Sequence, residues 1–236
     1  ASEFDAQLPF TVTRMRGRSW GRWQGLWARI AGGHRLKQTQ RVIFSTWRLA
    51  VQLAPRAAAQ GCRVAVAAHG SDLTRLESAD ASLEAVDRSV SCWLPVSHFL
   101  ESELRRLGLH SPARVLPMPL PTRATCLPHD ERSGLILVAR MTPLKGVDRA
   151  IRLASMLEQT LVLIGDGPAL EALDEGPSEH VEVLGALPRA DAMKRVAQAR
   201  AILLLPRVDE DGSGAEGLGL CLLEAAARGV PAIGCR

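Results

Sequence analysis

No apolar run in this 236-residue chain approaches the length of about 18 needed to cross a bilayer, and no signal-peptide pattern opens it. The five cysteines, Cys62, Cys92, Cys126, Cys221 and Cys235, contain no C-x-x-C pair. That excludes a structural zinc site and reads as a set of reduced thiols in a cytoplasmic chain. Helix-turn-helix, zinc-finger and RNP-type aromatic patterns are missing as well, which leaves nucleic acid without a reader. G-x-G-x-x-G does not follow the first strand, which argues against an NAD-dependent oxidoreductase. No Asp-x-Asp pair stands at a strand end, and Asp209-Glu210-Asp211 reads as a solvated acidic loop, so no metal is expected.

What is present fits a globular chain, with 47% hydrophobic and 23% charged residues and length enough for one large or two small domains. Charge is unevenly spread. Residues 1–60 hold ten Lys or Arg against two acids, whereas the remainder holds 19 basic and 23 acidic residues. Within the basic quarter, Trp20, Trp23, Leu26, Trp27 and Ile30 fall on one side of a predicted helix surrounded by arginines. Two readings stay open for segment 14–37, a tryptophan stripe packed into a core and a basic amphipathic face lying on an anionic membrane.

Along the chain, a short strand is predicted near Phe10–Thr13, then a strand at 41–45, a helix at 47–60, and a strand at 63–68 ending at His69-Gly70-Ser71-Asp72. A helix near 83–88 precedes a strand that begins at Ser91. It leads to a helix over 101–107 with Ser97 as its N-cap and Gly108 as its C-cap, and His98 reads as solvated. Pro112, Pro117, Pro119, Pro121 and Pro128 disfavour helix and pairing alike, so they mark a stiff connection with the domain boundary between Pro117 and Arg132. Strands at 135–139, 161–165, 181–184 and 201–205 then alternate with helices at 147–158, 168–173 and 188–198 and a final one of about 11 residues. Pro168 and Pro188 stand in first turns. This alternation predicts a parallel, right-handed doubly wound sheet.

In such sheets ligands sit at the carboxyl ends of strands. Arg140 and Lys145 leave one such end. As isolated cations they read as surface groups, but by position they are an anion grip. The loop after the last predicted strand contains Glu216, Gly217, Leu218 and Gly219, and Glu224 lies about one and a half turns into the helix that follows. The glycines let a backbone approach a phosphate. Of the two acids, Glu224 is the better candidate for ribose hydroxyls and Glu216 for a sugar, although spacing alone allows two surface acids equally well.

Glu216, seven residues and Glu224, set in EGLGLCLLEAAARGVPAIG, resemble the E-x7-E signature of retaining family 4 (group 1) glycosyltransferases. HGSD resembles that family's HG-x-D loop, VARMTPLKGVD its GR-x5-KG segment with Ala139 in place of glycine, and Gly165-Asp166-Gly167-Pro168 its GDGP turn. The phrase VSHFLESELRRLG is similar to its linker-side helix. The resemblance implies a GT-B fold, with residues 1–120 as an acceptor-side Rossmann-like domain and 121–236 as the nucleotide-sugar domain. It implies that Arg140 and Lys145 grip a diphosphate, Glu216 orients the sugar, Glu224 holds ribose, and His69 serves sugar and acceptor. Gly165, Gly217, Leu218 and Gly219 would line the donor. The implied reaction is retaining hexose transfer from a nucleotide-diphosphate sugar to a glycolipid or surface-polysaccharide hydroxyl, without metal or cofactor, at the inner face of the cell membrane. A non-catalytic nucleotide-sugar-binding module is the alternative. Relatives open with a strand and Gly-Gly loop and continue past GVP to a further strand and helix, so the chain is expected to be truncated at both ends, with Pro117-Met118-Pro119 where they carry Pro-Asn-Gly.

Overall fold

The computed structural model describes residues 40–70, 73–74, 76–120, 126–171, 180–208 and 215–235. The predicted strand near Phe10, the tryptophan helix, the basic segment 14–37, Ser71-Asp72 and the acidic run 209–211 lie outside the described residues.

The first lobe alternates β1 (Arg41–Phe44), α1 (Trp47–Ala59), β2 (Arg63–Ala68), α2 (Ala81–Ser89), β3 (Cys92–Pro95) and α3 (His98–Arg106). Its strands are parallel in the order β1-β2-β3. Along β2 every second residue, Val64, Val66 and Ala68, is buried, the period-two pattern of a strand packed on one face. Trp47, Ala50, Ala54 and Ala57 form the buried stripe of α1, and their small size lets that helix lie close to its neighbours. The helix runs through Pro55 on its exposed side, which removes one rung from its hydrogen-bond ladder. Side-chain caps explain where helices begin. Asp80 accepts from Leu83 N at 2.8 Å, and Ser97 accepts from Leu100 N at 3.2 Å. The fully buried Trp93 donates its indole N–H to Asp87 at 2.7 Å, so the largest side chain of this core carries no unsatisfied donor.

The second lobe contains β4 (Leu135–Val138), α4 (Val147–Met156), β5 (Leu161–Ile164), α5 (Pro168–Glu171), β6 (Val181–Gly185), α6 (Arg189–Gln198), β7 (Ala201–Leu204), α7 (Leu220–Ala226) and β8 (Ala232–Gly234). All five strands are parallel, in the order β6-β5-β4-β7-β8. Both faces are covered. Leu135, Leu137, Leu161, Leu163 and Leu203 pack with Val147, Ala150 and Ala154 of α4, while Ile136, Ile164 and Ile202 meet α6 and α7. Two-sided burial is why β4 and β7 read as continuous apolar runs. The chain winds outward from β4 to β6 and then returns to β7 on the other side of β4. The β4/β7 seam is therefore the topological switch point, where doubly wound folds bind ligands.

Several expectations need correcting. α7 has seven residues rather than about 11, because Gly229 at φ 66° turns the chain and Val230 N closes back on Ala225 O at 3.0 Å. Buried Arg132 secures that exit by donating to the carbonyls of Gly229, Leu127 and Arg228. Pro188 is the N-cap of α6 rather than a first-turn residue. A strand does follow GVP, since Ala232–Gly234 pairs in parallel with β7; three residues are too few to register as an apolar run. The proline-dense connection also pairs where no pairing was expected. Arg114 N and Leu116 N donate to Trp93 O at 2.9 Å and Pro95 O at 2.8 Å, because Pro112 is needed only as an acceptor, its carbonyl taking Trp93 N at 2.7 Å, and the next proline, Pro117, lies beyond the paired amides. The helix predicted over 101–107 begins three residues earlier, directly after its Ser97 cap.

Candidate active site

Backbone contacts first bring the two loops of the switch point together. After β4 the chain passes Arg140 and a short 3-10 turn, Pro143–Lys145, to Gly146 at φ 70°. A Cβ on Gly146 would stand 1.8 Å from the carbonyl oxygen of Leu205, so glycine is required for the first loop to lie against the end of β7. Arg207 N donates to Leu144 O at 2.9 Å, Arg149 donates to Pro206 O at 3.0 Å, and Arg207 pairs with Asp148. Gly165 and Gly167 do the same for the next loop. Their Cα atoms lie against Ala139 O and Met141 O, which packs the GDGP turn onto the backbone flanking Arg140.

On this frame Lys145 Nζ forms an ion pair with Glu216 Oε2 across 71 residues of sequence. Both side chains are about one third exposed, at 31% and 29%, so the pair borders solvent. The cation is thus next to the start of α7, which Gly219 opens at φ 62°, a conformation that favours glycine. Glu224, one turn into α7, is only 8% exposed, and its carboxylate is held by Arg189 at the start of α6. A desolvated carboxylate without such a partner would be costly, and Arg189 is the cation that meets it. The first turn of α7 also carries Cys221, whose thiol pKa is pushed up to about 11, chiefly by burial and next by the negative charge of Glu216, with Lys145 opposing. This thiol is protonated at neutral pH.

Arg140 is exposed at the carboxyl end of β4, with no hydrogen-bond or ion-pair partner for its guanidinium among the described residues. His69 directly follows β2 in the other lobe and is also exposed. Its backbone carbonyl makes the close approach, because a Cβ on Gly217 would stand 2.5 Å from His69 O. Leu218 is half-buried between the two glycines. The structure therefore gathers Lys145, Glu216 to Gly219 and Glu224 at one seam, brings the His69 backbone onto it, and leaves the Arg140 side chain open beside it.

Residues 126–235 match the family model "Glycosyl transferases group 1". That match covers the second lobe. A GDP-mannose-dependent alpha-(1-6)-phosphatidylinositol monomannoside mannosyltransferase of Mycolicibacterium smegmatis is 33% identical to the chain over 116 residues, covering 45% of the chain and 30% of the enzyme. A GDP-mannose-dependent monoacylated counterpart from Corynebacterium glutamicum is 33% identical over 103 residues, 40% of the chain and 27% of the enzyme. The match thus spans about 30% of these relatives' length. Among solved structures, Anabaena Alr3699/HepE in complex with UDP and glucose superposes with a TM-score of 0.72 at 15% identity, covering 92% of the chain and 65% of HepE. The lipopolysaccharide outer core galactosyltransferase WaaB reaches 0.61 at 18% identity over 89% of the chain and 61% of WaaB. These likenesses extend over both lobes and show the GT-B fold.

Within the second lobe, sequence reasoning named both acids, both cations and the glycines, and it missed Arg189 and Cys221. The signal for Arg189 was available in part. It follows the Gly185-Ala186-Leu187 turn at a strand's carboxyl end, the placement that singled out Arg140, yet nothing local ties it to Glu224. Ser97 was read only as a cap. In the structure its hydroxyl also reaches Gly217 O at 2.6 Å.

Proposed function

We propose that the protein is a retaining glycosyltransferase that moves a hexose from a nucleotide-diphosphate sugar to a hydroxyl of a glycolipid or surface-polysaccharide acceptor. The observation that carries this reading is the Lys145–Glu216 pair at the β4/β7 seam, one loop away from the buried Glu224. In the free protein each acid is satisfied by a cation, so donor binding is an exchange of partners. The diphosphate takes Lys145 and Arg140, which frees Glu216 to accept from the sugar hydroxyls, while the vicinal ribose hydroxyls share Glu224 with Arg189. As the glycosidic bond breaks, negative charge collects on the departing diphosphate. Two fixed cations stabilise that charge more than they stabilise the bound donor, which is what accelerates the step. The acceptor oxygen attacks the face the diphosphate leaves, its proton passes to a phosphate oxygen, and the configuration is retained. His69, at the edge of the other lobe, faces sugar and acceptor. With the leaving charge met by Arg140 and Lys145, the transfer runs without a metal.

The GDP-mannose-dependent relatives, named for phosphatidylinositol mannosides, make GDP-mannose the first donor to try and support a glycolipid acceptor. Among the described residues no helix is long and apolar enough to cross a membrane, so such an acceptor would be met at the bilayer surface, through the basic tryptophan-bearing segment 14–37. The deciding measurement is thermal denaturation with UDP-, GDP- and ADP-sugars, each with and without EDTA. At one hundred times its Kd the true donor adds about 2.7 kcal/mol of native-state stability, and EDTA leaves that gain intact. Stabilisation by none of the panel would overturn the reading. Binding without transfer to any acceptor would instead make the chain a nucleotide-sugar-binding module.

A further inference from the structure

Gly217, in the loop that leads to α7, meets the first lobe at two points. On one side its Cα lies against the end of β2: an added Cβ would stand 2.5 Å from His69 O and 2.9 Å from Gly70 Cα. On the other, its carbonyl oxygen accepts the Ser97 hydroxyl at 2.6 Å, a contact between residues 120 apart in sequence. Ser97 follows β3, and β3 is the neighbour of β2 in the first sheet, so both contacts come from one edge of one lobe. Gly217 is itself buried and directly follows Glu216. A hydroxyl has one proton to donate and lone pairs with which to accept. Here Ser97 spends both, donating to Gly217 O while accepting from Leu100 N at 3.2 Å to cap α3.

We propose that Ser97 is an interlobe positioning residue, whose hydroxyl locks the Gly217-Leu218 peptide in register and thereby aims the carboxylate of the preceding Glu216 at the donor. The kinetic part of this inference rests on the transferase reading above, whereas the bridge itself does not. Because the side chain has two duties, they can be separated chemically. Ser97→Asp keeps an oxygen for Leu100 N, since Asp is as good an N-cap as Ser, but it has no proton for Gly217 O and sets a carboxylate against that carbonyl. Ser97→Thr keeps both functions.

The test compares wild type, Ser97→Thr and Ser97→Asp by amide hydrogen exchange without ligand, and then by turnover with the donor identified in the thermal panel. In Ser97→Asp the amides of residues 215–220 should exchange about tenfold faster, those of 98–106 should keep wild-type protection, and Ser97→Thr should match wild type throughout. Turnover of Ser97→Asp should fall about tenfold in kcat with nucleotide-sugar KM nearly unchanged, because the misaimed Glu216 acts on the sugar being transferred while Glu224, Arg140 and Lys145 still hold the nucleotide diphosphate. Unchanged exchange over 215–220, or equal loss of protection in α3, would reduce Ser97 to a helix cap and overturn the proposal. Should the exchange pattern hold while wild type transfers no sugar, the bridge stands and the transferase reading falls.

Discussion

At the scale of single residues the site pairs each of its two acids with a cation and leaves Arg140 unpaired among the described residues. Lys145 and Glu216 are each other's partner, so removing either disables the same unit. Lys145→Ala and Glu216→Gln should each lower kcat about 10²- to 10³-fold, and the double substitution should cost little more than the worse single one. A double-mutant cycle of transfer rates tests this, and multiplying effects would show two independent contributions. Cys221 reports on the same charges. Its thiol holds its proton until about pH 11, so between the ordinary thiol value of 9.0 and that point the unfolded chain deprotonates first and stability falls as pH rises. Below that window both states keep the proton and nothing changes. Cys221→Ala should therefore flatten the fall in Tm between these limits and leave Tm at neutral pH with only the small cost of the lost sulfur packing.

At the scale of elements, the site depends on how closely two strand-to-helix loops can approach. Gly146 makes that approach possible. Gly146→Ala has a left-handed φ of 70° to accommodate and a backbone oxygen 1.8 Å from its new Cβ. Gly61, at φ 80°, meets nothing within 4 Å of an added Cβ and isolates the conformational cost alone. Gly61→Ala should cost about 1–2 kcal/mol and Gly146→Ala at least about 2 kcal/mol more, read as the difference in denaturation midpoints. The excess measures the close approach, and equal costs would mean the two loops can part freely. Element types were legible because periodicity and caps are local. Val64, Val66 and Ala68 alternate as a strand, and Asp80 and Ser97 sit where helices start. Boundaries were less so: α7 stops at a turn stabilised by Arg132, a residue nearly one hundred positions earlier that no local pattern connects to it.

At the scale of the whole molecule, charge and fold are divided between the ends. The first sixty residues carry the positive excess, and the second lobe, over which the group 1 model matches, carries the candidate site. Replacing Arg16, Arg18 and Arg22 by Gln should weaken binding to vesicles containing anionic lipid by about 1 kcal/mol per charge at low salt and leave donor-induced stabilisation unchanged. Vesicle sedimentation with and without anionic lipid measures this, and unaltered binding would remove segment 14–37 from the membrane role. The sequence alone determined the parallel doubly wound lobes, because two-sided burial writes itself as apolar runs, and it determined which acids, cations and glycines belong to strand ends. Only the tertiary structure decided which of them answer one another. Arg189 to Glu224, Ser97 to Gly217 and the pairing of β8 join residues whose separation along the chain says nothing of their separation across a crossover.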